Sequence, residues 1–82
     1  MTAWDREADA RGLRCPLPSL RARKILAGMR EGEVLRLLAD DPMAAIDLPH
    51  LCAEGGHAYL GTEGDAHLLR RGPERETDRA AG

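Results

Sequence analysis

The residues most able to do chemistry lie in a short segment near the start of the chain. Residues 12–18 read GLRCPLP, which places Cys15 between Arg14 and Pro16. A cysteine can serve as a nucleophile, as a metal ligand or as a small buried apolar residue, and its nucleophilic form is the thiolate. The role of Cys15 therefore depends on the element that positions it and on the charges around it.

The residues that follow Cys15 predict a helix. Between Pro16 and Arg30 the apolar residues recur at the spacing of one helix face, about 100° wide. The residues of this face are Pro18, Ala22, Ile25, Leu26 and Met29. Pro16 and Pro18 fit the first turn, because the N–H that a proline lacks has no helical partner there. Cys15 is thus expected just before a helix, after a change of chain direction that Gly12 permits.

A helix start favours ionisation of a thiol. Backbone N–H groups lack acceptors there, and the helix dipole is positive. Arg11 and Arg14 add positive charge. These features predict that the pKa of Cys15 lies below that of a free thiol. Taken alone, the residues still leave both a reactive Cys15 and a buried apolar Cys15 open.

Composition and charge exclude several classes of function. The chain has 82 residues, a formal net charge of −2 and two aromatic residues, with no basic run. A single domain without direct nucleic-acid binding is therefore expected. No apolar stretch approaches the roughly 20 residues of a membrane span, and the acidic start is unlike a signal peptide. We expect a cytoplasmic protein that does not bind membranes.

The pattern along the chain predicts the element order β-α-β-α-β-β. The predicted strands are Ala8–Arg14, Val34–Ala39, His57–Thr62 and Ala66–Arg71. The crossover helix makes the first two strands parallel, and the turn at residues 63–65 makes the last two antiparallel. The expected fold is an α/β (α+β) two-layer sandwich, with both helices on one face of a mixed four-stranded sheet. It spans residues 8–71, with flexible tails at 1–7 and 72–82.

The second helix is less clearly bounded. Asp40, Asp41 and Pro42 are typical of a capped helical turn through residues 43–46. Asp47, Leu48 and Pro49 repeat that pattern, so we expect a new start and a main helix over Leu48–Ala53. One unbroken helix, kinked at Pro49, is the alternative.

The segment Asp9-Ala-Arg-Gly-Leu-Arg-Cys15-Pro-Leu-Pro18 resembles the signature D-x-x-G-L-x-C-P-x-P of the TusA/SirA/YeeD family of small sulfur-carrier proteins. The likeness continues through residues 8–71. Its further elements are Arg23-Lys24, Asp40-Asp41-Pro42, Asp47-Leu48-Pro49, Cys52 and Gly56-His57. This order and spacing is more specific than a lone CPxP motif.

The resemblance implies a function for Cys15. In this family the cysteine of the CPxP motif carries sulfane sulfur as a persulfide. The donor is a cysteine desulfurase or a rhodanese-type enzyme, and the acceptor is a further protein. Relatives supply tRNA 2-thiouridine synthesis, molybdenum-cofactor metabolism or sulfur oxidation. The implied protein is a monomeric carrier that needs no cofactor beyond the covalent sulfur and has no independent turnover.

Several exposed side chains of the first helix are candidates for binding a partner. Leu17 and Leu20 share a side of the first helix with Arg23 and Lys24, and we interpret these four as a partner-docking face that Asp41 borders. Gly12, Arg14, Pro16 and Pro18 are predicted to shape the site. Cys52 is interpreted as a core residue. His50, Cys52 and His57 match no standard zinc spacing, so no metal site is predicted.

Two alternatives to the sulfur carrier remain. The first is a thiol-disulfide redox module that uses Cys15 and Cys52, which requires that the two sulfurs can approach each other. The second is a non-catalytic regulatory or interaction domain, in which loss of the Cys15 thiol would leave partner binding intact.

Overall fold

The computed structural model of the protein describes residues 3–73. Its elements are β1 (Arg6–Asp9), α1 (Leu17–Ala27), β2 (Val34–Leu38), α2 (Ala44–Gly55), β3 (Ala58–Glu63) and β4 (Ala66–Arg70). The four strands form one sheet in the order β1-β2-β4-β3. β1 and β2 are parallel, while β4 runs antiparallel to both β2 and β3. The predicted fold class is confirmed.

Both helices cover the same face of the sheet. The core joins Ala22 and Leu26 of α1, and Leu48, Leu51 and Cys52 of α2, to Leu35 and Leu37 of β2 and Leu69 of β4. Side chains alternate across a strand, so Arg36 points to the opposite face. There it pairs with Glu7 and lies over the Trp4 ring, with its guanidinium carbon 5.9 Å from the ring centroid. This face of the sheet is therefore partly exposed at Arg36.

β1 begins earlier than predicted. It spans Arg6–Asp9 and not Ala8–Arg14, so the prediction that residues 1–7 form a tail is wrong for residues 6 and 7. Asp5 extends the ordered region, since its backbone N–H donates to Val34 and its carboxylate accepts from the Val34 N–H. The sequence READ lacks apolar alternation because β1 is an edge strand with only Ala8 partly buried.

The predicted C-terminal tail falls mostly outside the described residues. Residues 74–82 are not described. Gly72 was placed in the tail, but its backbone N–H donates to the Nδ1 of His57 at 2.9 Å. The folded unit therefore extends at least to Gly72.

The buried residues of α1 belong to the apolar helix face that the sequence predicts. Pro18, Ala22 and Leu26 are buried, and Ile25 packs partly against the core. The helix is shorter than predicted, because Pro16 is its N-cap residue and Gly28 its C-cap residue. Met29 is buried just beyond the helix end.

α2 is one continuous helix that contains Pro49. The expected break before Leu48 is therefore wrong, and the alternative of one unbroken helix across Pro49 is correct. Pro49 cannot donate to the carbonyl of Ala45, but Ala45 is exposed and water can serve that carbonyl. Burial of Leu48, Leu51 and Cys52 on one side holds the helix across the proline. Gly56, at φ 77°, ends it in the left-handed conformation that glycine adopts without strain.

The strand register places both ends of the described chain at one end of the sheet. Arg6 pairs with Leu35 and Arg70 pairs with Val34, so β1 enters and β4 leaves beside the start of β2. The loop that carries Cys15 follows Asp9, which pairs with Leu38 at the other end of β2. The thiol and the chain ends therefore lie at opposite ends of the sheet.

Two aliphatic residues of α2 test this packing. Leu48 is fully buried, whereas Ile46 is 58% exposed on the same helix. Leu48→Ala is expected to lower the free energy of unfolding by about 2–5 kcal/mol, because it removes buried apolar surface and leaves a cavity. Ile46→Ala should change it by no more than about 0.5 kcal/mol. Urea denaturation followed by circular dichroism measures both, and equal losses would contradict the burial of Leu48.

Candidate functional site

Cys15 lies in the loop between β1 and α1, and its side chain is exposed. Local backbone hydrogen bonds shape this loop, from Leu13 N–H to the carbonyl of Ala10 and from Leu17 N–H to the carbonyl of Arg14. Gly12 has φ 86°, a conformation that favours glycine. Cys15 is joined to Pro16 by a cis peptide bond. Pro18 is anchored in the core.

Two carboxylates at the end of β2 hold the same loop. Asp40 Oδ1 accepts the backbone N–H of Gly12 at 3.0 Å. Asp41 Oδ2 accepts the backbone N–H of Cys15 at 2.7 Å, and its Oδ1 accepts that of Met43 at 3.0 Å. These N–H donors, from Met43 first and then from Cys15, lower the pKa of Asp41. Asp41 thus caps a turn as expected, but Asp40 does not: it fixes Gly12.

The thiol itself contacts a third carboxylate. Cys15 Sγ donates to Asp47 Oδ2 at a sulfur–oxygen distance of 2.8 Å. Sequence reasoning missed this contact, because it treated Asp47 only as a helix-start residue. A signal was available: α1 and α2 follow adjacent parallel strands, so their first turns meet at the same end of the sheet.

The prediction that the Cys15 thiol ionises easily is wrong. The hydrogen bond to Asp47 is the main cause that raises the pKa of Cys15, followed by desolvation and by the negative charges of Asp47 and Asp41. The two arginines that were expected to lower the pKa of Cys15 interact with other carboxylates. Arg11 binds Asp9 at 2.8 Å and lowers the pKa of Asp9 to about 2, and Arg14 lowers the pKa of Asp41.

A cleft of about 340 Å³ opens between α1 and α2 beside the thiol. α1 contributes Ser19, Leu20 and Arg23, and α2 contributes Asp47, His50 and Glu54. An exposed ion pair of 3.8 Å joins Arg23 to Glu54. The sulfur is therefore reachable, with one wall of the cleft supplied by each helix.

The residues predicted to dock partners fall in two places. Leu17 and Leu20 are 49% and 53% exposed, and Arg23 and Lys24 are also exposed. Asp41 is partly exposed, and its carboxylate accepts hydrogen bonds from the Cys15 and Met43 backbones.

The sequence did not identify two further exposed apolar residues. Met43 and Ile46 are 43% and 58% exposed, and each lies within one helical turn of Asp47. We call Leu17, Leu20, Met43 and Ile46 the thiol rim. Leu17 and Leu20 belong to the start of α1, whereas Met43 and Ile46 lie at the start of α2.

Cys52 has a different environment. It is 1% exposed within the core, and burial raises the pKa of its thiol to about 11. Both cysteines are free thiols. Within residues 3–73, no three His, Cys, Asp or Glu side chains are grouped so that they could hold a metal ion.

Comparison with known proteins assigns the family. The model of the family described as Sulfurtransferase TusA matches residues 6–70. The chain belongs to this family. The match begins at the first residue of β1 and ends at the last residue of β4, so it covers the whole sheet and both helices. Cys15 lies within the matched residues.

A curated relative and a solved structure agree with the TusA family. The chain is 38% identical over 77 residues to the "Putative sulfur carrier protein YrkF" of Bacillus subtilis (strain 168), covering 89% of this chain. It spans only 42% of that relative's length. The crystal structure of a SirA-like protein from Desulfitobacterium hafniense superposes with a TM-score of 0.65 at 27% identity, covering 85% of this chain and all of the other. No helix among the described residues has the length and apolar character needed to cross a membrane.

The two cysteines should differ sharply toward an alkylating reagent. Iodoacetamide is expected to add one group to the native protein, at Cys15, because Cys52 is buried and its thiol stays protonated. In urea both cysteines should react. Intact-protein mass spectrometry counts the groups, and native Cys52→Ser should behave like wild type. Two rapid additions to the native protein would contradict the burial of Cys52.

Proposed function

We propose that this protein is a sulfur carrier that holds sulfane sulfur as a persulfide on Cys15. The observation that carries the proposal is the exposed thiol of Cys15, in a segment that resembles the CPxP signature of sulfur carriers and lies within the residues that the family model matches. The loop around it is fixed through backbone contacts to Asp40 and Asp41, which leave the sulfur itself accessible. The sulfur is bound covalently, so the carrier needs no further cofactor.

Loading and unloading are two thiol exchange reactions. In loading, Cys15 Sγ attacks the outer sulfur of a donor persulfide R–S–SH. A bond forms between Sγ and that sulfur, the donor S–S bond breaks, and R–S⁻ leaves and takes up the proton that Cys15 loses. In unloading, an acceptor thiolate attacks the outer sulfur and Cys15 becomes the leaving thiolate. Neither step changes the total number of thiols and persulfides.

The thiol rim is the proposed contact surface for donor and acceptor. Leu20 lines the cleft beside the sulfur, the other three residues are exposed at the starts of the two helices, and Arg23 and Lys24 add charge on the α1 side. Partner interfaces combine an apolar centre with a polar margin in this way. A donor that covers the rim would bring its persulfide to Cys15 and exclude water from the exchange.

The donor is proposed to be a cysteine desulfurase or a rhodanese-type enzyme in the cytoplasm. The acceptor belongs to tRNA 2-thiouridine synthesis, molybdenum-cofactor metabolism or sulfur oxidation. These assignments rest on the resemblance of the signature around Cys15 to that of sulfur-carrier proteins.

The redox-module alternative is less well supported. It needs Cys52 as a second reactive thiol, but Cys52 is packed in the core and its raised pKa disfavours the thiolate. The interaction-domain alternative is separated from the carrier by experiment.

The carrier proposal predicts that sulfur is gained at one site. After incubation with a cysteine desulfurase, pyridoxal phosphate and cysteine, intact-protein mass spectrometry should show one added sulfur atom that a reductant removes. Cys52→Ser should retain this gain and Cys15→Ser should lose it, because the exposed thiol is the acceptor. A rhodanese with thiosulfate serves as the second donor. A chain that gains no sulfur from either donor, and binds partners equally well as Cys15→Ser, would favour the interaction domain.

The rim proposal predicts that docking and chemistry can be separated. Leu20→Glu should slow loading from the desulfurase by about tenfold or more, because it places a charge in an apolar contact. Its loading from inorganic polysulfide, which needs no docking, should be nearly unchanged. Leu60→Glu is the matched control, since Leu60 is an exposed leucine on β3, away from the thiol rim. Equal slowing by both variants would count against a specific rim.

A further inference from the structure

The Asp47 carboxylate occupies the space toward which the Cys15 thiol points. The Sγ atom lies 2.8 Å from Asp47 Oδ2. A persulfide replaces the thiol hydrogen with a second sulfur, at a bond length of about 2.05 Å. Along the same direction, that outer sulfur would lie less than about 1 Å from the carboxylate oxygen. The outer sulfur must therefore take another direction.

The negative charge of Asp47 also disfavours an outer sulfur at this position. The thiol donates a proton to the hydrogen bond with Asp47. A persulfide is a stronger acid than its parent thiol, because the adjacent sulfur stabilises the anion, and an ionised outer sulfur has no proton to donate. The Asp47 carboxylate attracts the empty thiol and repels the loaded sulfur.

Asp47 differs from the other charged groups around Cys15. The Asp41 carboxylate binds the backbone N–H of Cys15, a contact that is the same with or without bound sulfur, and Arg14 acts on Asp41. Across the cleft, Arg23 is paired with Glu54, and His50 lies on the same wall as Glu54. Asp47 contacts the reacting atom itself.

We propose that Asp47 distinguishes the empty carrier from the loaded one, by holding the Cys15 thiol in the cleft and excluding the outer sulfur of a Cys15 persulfide from that position. The proposal rests on the carrier function and adds a positioning residue to it. The empty thiol is held protonated and is a slow nucleophile. The loaded sulfur is turned away from Asp47, where an acceptor thiolate can reach it.

The empty state is tested by the rate at which iodoacetamide alkylates Cys15 as a function of pH. Asp47→Asn should shift this profile to lower pH and speed the reaction at pH 7.5 by roughly three- to tenfold, because more of the thiol is ionised. The gain stays below the gain in thiolate, since nucleophilicity falls with the pKa. Glu54→Gln removes a carboxylate from the same cleft without contacting the sulfur, so its profile should match wild type.

The loaded state is tested on protein charged with inorganic polysulfide. In that reaction Sγ bonds to a sulfane sulfur, an S–S bond of the polysulfide breaks, and the shortened polysulfide leaves with the electron pair. Alkylation of the outer sulfur gives a disulfide that a reductant cleaves, whereas alkylated Cys15 resists reduction. Wild type and Asp47→Asn should alkylate at the outer sulfur at rates within about twofold of each other.

The expected result is that Asp47→Asn strongly raises the alkylation rate of the empty thiol and hardly changes that of the persulfide. Equal effects on both states, an unshifted profile for the empty variant, or a wild-type chain that takes up no sulfur from polysulfide would overturn the proposal. Asp47→Glu, which keeps the charge but moves it by one methylene, provides a second variant if the asparagine form is unstable. If polysulfide-loaded protein shows the expected result but neither donor enzyme loads Cys15, the role of Asp47 stands and the proposed relay fails.

Discussion

Two adjacent carboxylates hold the loop that carries Cys15 in place. Asp40 and Asp41 follow the end of β2 and accept backbone N–H groups from Gly12 and Cys15, in a loop more than 25 residues earlier in the chain. The parallel pairing of β1 and β2 brings these segments together, because the carboxyl ends of both strands lie at the same end of the sheet. Asp41 also caps the turn that leads into α2. One short acidic segment therefore fixes the loop before α1 and the start of α2, and the cleft between the two helices depends on it.

Much of this architecture could be predicted from local patterns. Apolar periodicity predicts α1, and a short apolar run predicts β2. The turn residues between β3 and β4 predict their hairpin. The position of Cys15 before a helix followed from Pro16 and Pro18. β1 was harder, because an edge strand with one partly buried residue has little apolar pattern. In α2, the local signals of Asp47 and Pro49 favoured a new start, but burial of Leu48 and Cys52 outweighed them.

The electrostatics of the site could not be read from neighbours in sequence. Arg11 and Arg14 are close to Cys15 along the chain and suggested a positive environment. In three dimensions Arg11 is paired with Asp9, while Asp47, which is 32 residues away, contacts the sulfur. The same limit applies to the thiol rim, because Met43 and Ile46 join Leu17 and Leu20 only once the two helices pack. Charge and exposure at a site are tertiary properties, whereas the choice of Cys15 as the candidate cysteine could be made from its motif.

The strand register also determines how this domain can be built into larger assemblies. The described chain enters β1 and leaves β4 beside the start of β2, and the thiol lies at the opposite end. A segment joined to the start of β1 or to the end of β4 would therefore be attached at the end of the sheet opposite Cys15. A label or a surface attached beside the start of β1 or the end of β4 joins the sheet at the end away from the thiol.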